Sequence, residues 1–255
     1  MVIYEWLLKP EKLRQMPEDE RALFVLLAHV ANELNVLNKL FYICSQHRKD
    51  EKWHIHAHTT QALIIARLFV GKLYEAWEAL QQGYFKSMLG RKYTPLLPAD
   101  AKESLSKLKK YFGKPNIVRE LRNNFAFHYS LEHIKGTLNK NLNKDEPDSS
   151  EMIAYMSNSI GNTLYYFSES VIGAAILEKI DQSQPAAAFD KLIVESTDLM
   201  AWFNEFIGGI MFLFCEKYML EDDGKITLLP INIGSIPLAE SIEIPYFIEL
   251  KVPVE

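Results

Sequence analysis

Apolar residues recur at alternating spacings of four and three from Leu23 through Leu27, Val30, Leu34, Leu37 and Phe41 to Cys44. Such a rhythm is one continuous helical stripe, about three heptads long. Pro17-Glu18-Asp19-Glu20 supplies its start, because proline suits a first helical turn and acids favour the positive end of the helix dipole. A second stripe follows with the same rhythm: Leu63, Ala66, Val70, Leu73, Trp77 and Leu80, with Gly83 near its end. The polar stretch from Ser45 to Lys52 joins the two. Two long helices with matching stripes and a short link predict an antiparallel pair.

The rest of the chain is punctuated by Gly and Pro. A loop is expected over Gly90 to Pro98, a helix from about Asp100 to Phe112, and a break at Gly113-Lys114-Pro115. The next helix begins near Asn116 and passes through Arg122 to about His133; Gly136 to Ser149, rich in Asn, Lys and Asp, reads as an exposed loop. Asp148-Ser149-Ser150-Glu151 has the form of a capping box and predicts a helix from there to about Ile180. A last helix is expected over Ala187 to Leu220. Beyond it the isoleucine-rich segments Lys225 to Pro230 and Ser241 to Val252 are broken by Pro230, Pro237, Pro245 and Pro253. Such prolines point to edge strands or a strap. The expected fold is all-α: an up-and-down bundle of about six helices over residues 1–222. Residues 223–255 form an extended or β-hairpin-like tail packing on it.

Composition changes this picture little. The 255 residues are 48% hydrophobic and 24% charged, an ordinary globular balance. Cys44 and Cys215 each sit in an apolar helical stretch and read as buried, reduced thiols. The N-terminal segment lacks the basic start and long apolar run of a signal peptide. The most apolar stretch, Leu199 to Cys215, is interrupted by Asn204, Glu205 and Gly208-Gly209. It falls short of the roughly 20 residues of a membrane span, so a buried core helix, no membrane and a cytoplasmic location are expected.

Charge changes it more. The net charge is −5, yet Lys86 to Lys144 holds thirteen Lys/Arg against four Asp/Glu, a local +9 that leaves −14 for the remainder. Within it Lys107, Lys109, Lys110, Lys114, Arg119 and Arg122 could form a face that attracts RNA; a solvated surface is the other reading.

Arg122 lies in the same stretch, in the segment Arg122-Asn123-Asn124-Phe125-Ala126-Phe127-His128. On a regular α-helix, six steps put Arg122 and His128 about 120° apart around the axis and about 9 Å along it. His128 continues the stripe Ile117, Leu121, Phe125, where a hydrophobe is expected. It therefore faces a packed surface, either a core or another helix.

Arg122, Asn123 and His128, placed late in a set of helices, resemble the signature of the HEPN superfamily: arginine, often a polar residue, then histidine after four to six positions. The resemblance implies metal-independent RNA cleavage at a homodimer interface, with His128 as general acid or base, Arg122 neutralising the phosphorane and Asn123 orienting it. Lys107, Lys110, Lys114 and Arg119 would bind RNA. It also implies a toxin or phage-defence setting, with an antitoxin or other protein as a further partner. No cofactor is expected. The alternative is a non-catalytic helical module of the same shape that binds a protein or a nucleotide.

A third reading rests on His54, His56 and His58. On a helix His54 and His58 share a face one turn apart, a spacing that could bind a metal. Glu51 and His54 show the three-residue spacing of di-iron bundles, but such a site needs two such pairs. His29 and Glu33 share a face and could add ligands. Surface histidines on a polar helix start are the expected account, with no metal.

Overall fold

In the computed structural model the chain is described over residues 1–46, 51–126, 131–142, 152–159, 161–181, 184–221 and 223–249. Its fold is all-α. Among the described residues there are nine α-helices and one two-stranded sheet. The helices are α1 (Pro10–Gln15), α2 (Glu18–Cys44), α3 (Lys52–Leu80), α4 (Met88–Tyr93) and α5 (Ala99–Phe112), then α6 (Ile117–Leu121), α7 (Leu131–Leu142), α8 (Tyr166–Ile180) and α9 (Pro185–Phe214). Two of them run on as single π-helical turns, α3 into Gln81–Phe85 and α9 into Cys215–Met219; a third such turn, Arg122–Ala126, follows α6.

The residues group into two compact units. The first comprises Met1–Val36, Lys72–Asn116 and Thr197–Leu238; the second comprises Leu37–Gly71, Ile117–Ser196 and Ala239–Glu255. The long helices α2, α3 and α9 each contribute residues to both.

In the first unit the stripes expected of α2 and α3 are buried where the pattern places them: Leu23, Leu27 and Leu34 on α2, Trp77 and Leu80 on α3. Trp77 stacks on Phe112 of α5 at 4.7 Å and 9°, and Tyr84 meets Phe206 of α9 edge to face at 5.3 Å. Gly209 of α9 sits where a Cβ would collide with the Ala101 side chain, so glycine lets α9 approach α5 closely. The tail strand finds its partner at the other end of the chain. Strand β1 (Val2–Trp6) pairs antiparallel with β2 (Leu228–Asn232), Tyr4 opposite Pro230. This ribbon is exposed, and Trp6 anchors it edge to face against Phe24.

In the second unit Phe41 of α2 meets Phe69 of α3 at 6.1 Å and Phe189 of α9 at 5.9 Å. Gly173 of α8 lies against Leu63 of α3, where a Cβ would come within 2.8 Å of the Leu63 Cδ1 methyl. Arg67 of α3 and Glu169 of α8 form an ion pair of 3.1 Å, largely withdrawn from solvent.

Several expectations need correction. Short helices α1 and α4 occupy stretches that carry no long stripe, and α4 takes the first half of the expected Gly90–Pro98 loop. Helix α7 runs through Gly136 to Leu142, where a loop is expected; Ile134, Leu138 and Leu142 keep a four-residue spacing through the polar composition. The helix expected from the capping box begins only at Tyr166. Asp148 to Glu151 lie outside the described residues; after them Tyr155 and Leu164 exchange backbone hydrogen bonds of 2.8 and 2.9 Å around a turn through Gly161, whose φ is +81°. Cys44 is buried but Cys215 only half-buried; both are free thiols.

One helix, 187–219, is long and apolar enough to cross a membrane by length and composition alone. Its apolar face, including Leu199, Phe203, Phe206 and Ile210, is buried within the protein.

Candidate functional site

Arg122 and Asn123 open the π-helical turn Arg122–Ala126. Widening one turn from α to π inserts an extra residue, so regular α-helical angles do not hold across Arg122–Ala126. Arg122 is half-buried and Asn123 exposed. The Arg122 guanidinium donates to the Asn123 side-chain carbonyl at 3.4 Å. Asn124 turns back and donates to the Glu120 backbone carbonyl and carboxylate, at 2.9 and 3.1 Å. Val118 and Leu121 are buried and anchor α6 beneath this polar edge. His128, the third residue of the motif, lies outside the described residues.

The basic residues divide between the units. Lys107, Lys110 and Lys114 belong to the first and are exposed; Arg119, half-buried, and Arg122 belong to the second. Lys107 is bridged to Glu103 one turn away at 2.7 Å, which engages part of its charge. Lys109 lies over the Phe85 ring at 4.7 Å.

The three histidines at the start of α3 part company. His56 stacks flat on Tyr166 at 3.7 Å, and its Nδ1 lies 3.1 Å from the Tyr155 hydroxyl. His54 and His58 occupy the other face. Against the expectation of surface histidines, they are only 5% and 8% exposed. Their rings lie 4.5 Å apart, and the tail covers them. Glu243 places Oε1 2.8 Å from His54 Nε2 and 3.9 Å from His58 Nε2. Among the described residues His54, His58 and Glu243 form a cluster in which one ligand atom from each lies within 4.8 Å of the others.

The other candidate ligands are not part of this cluster. Glu51 is exposed, its backbone carbonyl accepting from the amides of His54 and Ile55 at the helix start. His29 and Glu33 belong to the first unit, where they lie 3.6 Å apart and Glu33 accepts from Lys72 at 2.7 Å.

A polar cluster in the first unit is absent from the sequence reading. Glu20, 2% exposed, accepts hydrogen bonds from Lys92, from Tyr93 at 2.5 Å and from Tyr218 at 2.6 Å, with Lys217 at 3.4 Å. Burial pushes its pKa up, but the hydrogen bonds from Lys92, Tyr218 and Tyr93 and the charge of Lys217 outweigh it and hold the carboxyl at about 2. Burial and the same carboxylate push the Tyr93 and Tyr218 phenols above their ordinary range. The sequence carried a signal: Glu20 stands three residues before Leu23, on the backward extension of the apolar stripe. At neutral pH this carboxylate has no proton to give, and it serves as an anchor for α4 and the end of α9.

No protein-family model, curated protein or solved structure matches the chain.

Proposed function

We propose that the protein is a HEPN-like RNA-binding protein that cleaves RNA without a metal ion, as a dimer, through Arg122, Asn123 and His128. The observation that supports this best is the π-helical turn at Arg122–Ala126, which presents Arg122 and Asn123 at the surface with the guanidinium resting on the asparagine carbonyl. Single π turns interrupt helices at an energetic cost and recur at functional sites. The turn also lies inside the one strongly basic stretch of an acidic chain.

The chemistry follows from the residue types. A ribose 2′-hydroxyl attacks the adjacent phosphorus; its proton passes to a general base while the 5′-oxygen leaves with a proton from a general acid. The products are a 2′,3′-cyclic phosphate and a 5′-hydroxyl. Histidine suits either role because its ordinary pKa is near neutrality. The arginine fork matches two oxygens of the pentacoordinate phosphorane.

The test is incubation of single-stranded RNA with the purified protein in EDTA, with end-group analysis of the fragments. Cyclic phosphate ends are expected. Arg122→Ala and His128→Ala should each lower the rate by about 100-fold or more, with unchanged circular dichroism. Intact RNA at high concentrations of folded wild-type protein would overturn the cleavage and favour a non-catalytic binding module.

A further inference from the structure

We propose that His54, His58 and Glu243 bind one divalent transition-metal ion, zinc being the best fit, and that the ion fastens the C-terminal strap to the start of α3. The strap comprises the described tail residues of the second unit, 239–249.

Geometry carries the inference. Residues four apart on a helix project side by side, and here both imidazoles turn an Nε2 toward the same carboxylate oxygen. Tetrahedral zinc with bonds of 2.0–2.1 Å holds neighbouring ligand atoms about 3.4 Å apart. The observed separations, 2.8 and 3.9 Å, fall on either side of that edge, so small side-chain rotations reach it. One Glu243 oxygen, Oε1, thus faces both imidazoles, 2.8 Å from the first and 3.9 Å from the second. Two imidazoles and one carboxylate suit zinc rather than calcium or magnesium. Three protein ligands leave a fourth position for water.

The surroundings hold the ligands in place. Gln61, one turn beyond His58, donates to the Ile244 carbonyl at 3.1 Å. Trp53 packs on Phe247 at 5.7 Å. Asn162 brackets Ile248, accepting from its amide at 2.9 Å and donating to its carbonyl. Glu243 is thus fixed on a strap seated at several points, and the ion would close a loop of 189 residues between His54 and Glu243.

The test uses the full-length protein, stripped with a chelator, dialysed, and titrated with cobalt(II) and then zinc. One cobalt per chain is expected, with the intense visible absorption of tetrahedral coordination, and displacement by zinc. Equimolar zinc should raise the Tm by several degrees and slow proteolysis within 239–249. Glu243→Gln keeps the size and partial polarity of the side chain at the half-exposed ligand; it should weaken cobalt binding at least tenfold and abolish the zinc-dependent protection. His54→Ala and His58→Ala should do the same, read only where circular dichroism shows a folded chain. Absence of tetrahedral cobalt absorption in the folded wild type, or Glu243→Gln binding like the wild type, would overturn the proposal. RNA cleavage in EDTA is indifferent to this outcome, since the two residue sets do not overlap.

Discussion

A buried carboxylate with four hydrogen-bonding or charged neighbours makes stability depend on pH in a predictable direction. Glu20 has a folded-state pKa of about 2, against an ordinary 4.5. The stabilisation is fully present above pH 4.5 and is lost as pH falls toward 2, where both folded and unfolded forms are protonated. The linkage amounts to roughly 3 kcal/mol at neutral pH. Glu20→Gln should therefore lower unfolding free energy by about that amount at pH 7, and its deficit should shrink between pH 4.5 and 2; urea titrations across that range measure it. A deficit that stays constant with pH would assign the loss to packing instead. Lys92 and Lys217 remain part-exposed and can be hydrated when the carboxylate goes. At this scale the sequence was half legible. Periodicity places His54 and His58 on one face, because helical spacing is local. It has no means of supplying Glu243, which the fold brings from 185 positions beyond His58 along the chain.

Elements were legible where they carried a stripe of three or more turns. Helices α2, α3, α5 and α9 lie close to their expected bounds, because each buries a long apolar face and the spacing of that face is written in the chain. Elements held by a few distant contacts were not. Helix α1 has no buried residue, and Lys12 ties it to the Leu220 carbonyl at 2.6 Å. Strand β1 is defined by a partner more than two hundred residues away. The Gly208-Gly209 pair reads in the sequence as an interruption of an apolar run; in the structure its two members differ. A Cβ at Gly208 meets nothing within 4 Å, whereas at Gly209 it collides with Ala101 and comes within 3.4 Å of Leu97. Ala101 cannot swing away: it has no rotamers and is fully buried. Gly208→Ala should raise stability by about 0.5–1 kcal/mol through helix propensity. Gly209→Ala gains the same propensity but forces α9 from α5, and a net loss of about 1–3 kcal/mol is expected. Opposite shifts of the urea midpoint at adjacent glycines would establish the close approach; shifts of the same sign would contradict it.

For the molecule as a whole, charge and its distribution make separate predictions about RNA. An overall −5 repels a polyanion, and the −14 carried outside Lys86–Lys144 does so more strongly, so the proposed RNA binding is expected on the +9 stretch. Each phosphate neutralised on a single strand adds about −0.7 to the slope of log affinity against log salt. If Lys107, Lys110, Lys114, Arg119 and Arg122 all engage phosphates, the slope is about −3.5. Lys110→Gln with Lys114→Gln should flatten it by about 1.4 while weakening binding for all sequences alike. Lys191 and Lys225 are equally exposed but lie outside the basic stretch. Their double replacement by Gln changes net charge by the same amount and should leave the slope unchanged. Fluorescence anisotropy of a labelled oligonucleotide over a range of salt concentrations separates the two cases. Equal effects from both pairs would mean that only total charge matters, and the assignment of an RNA-binding face to this stretch would fail.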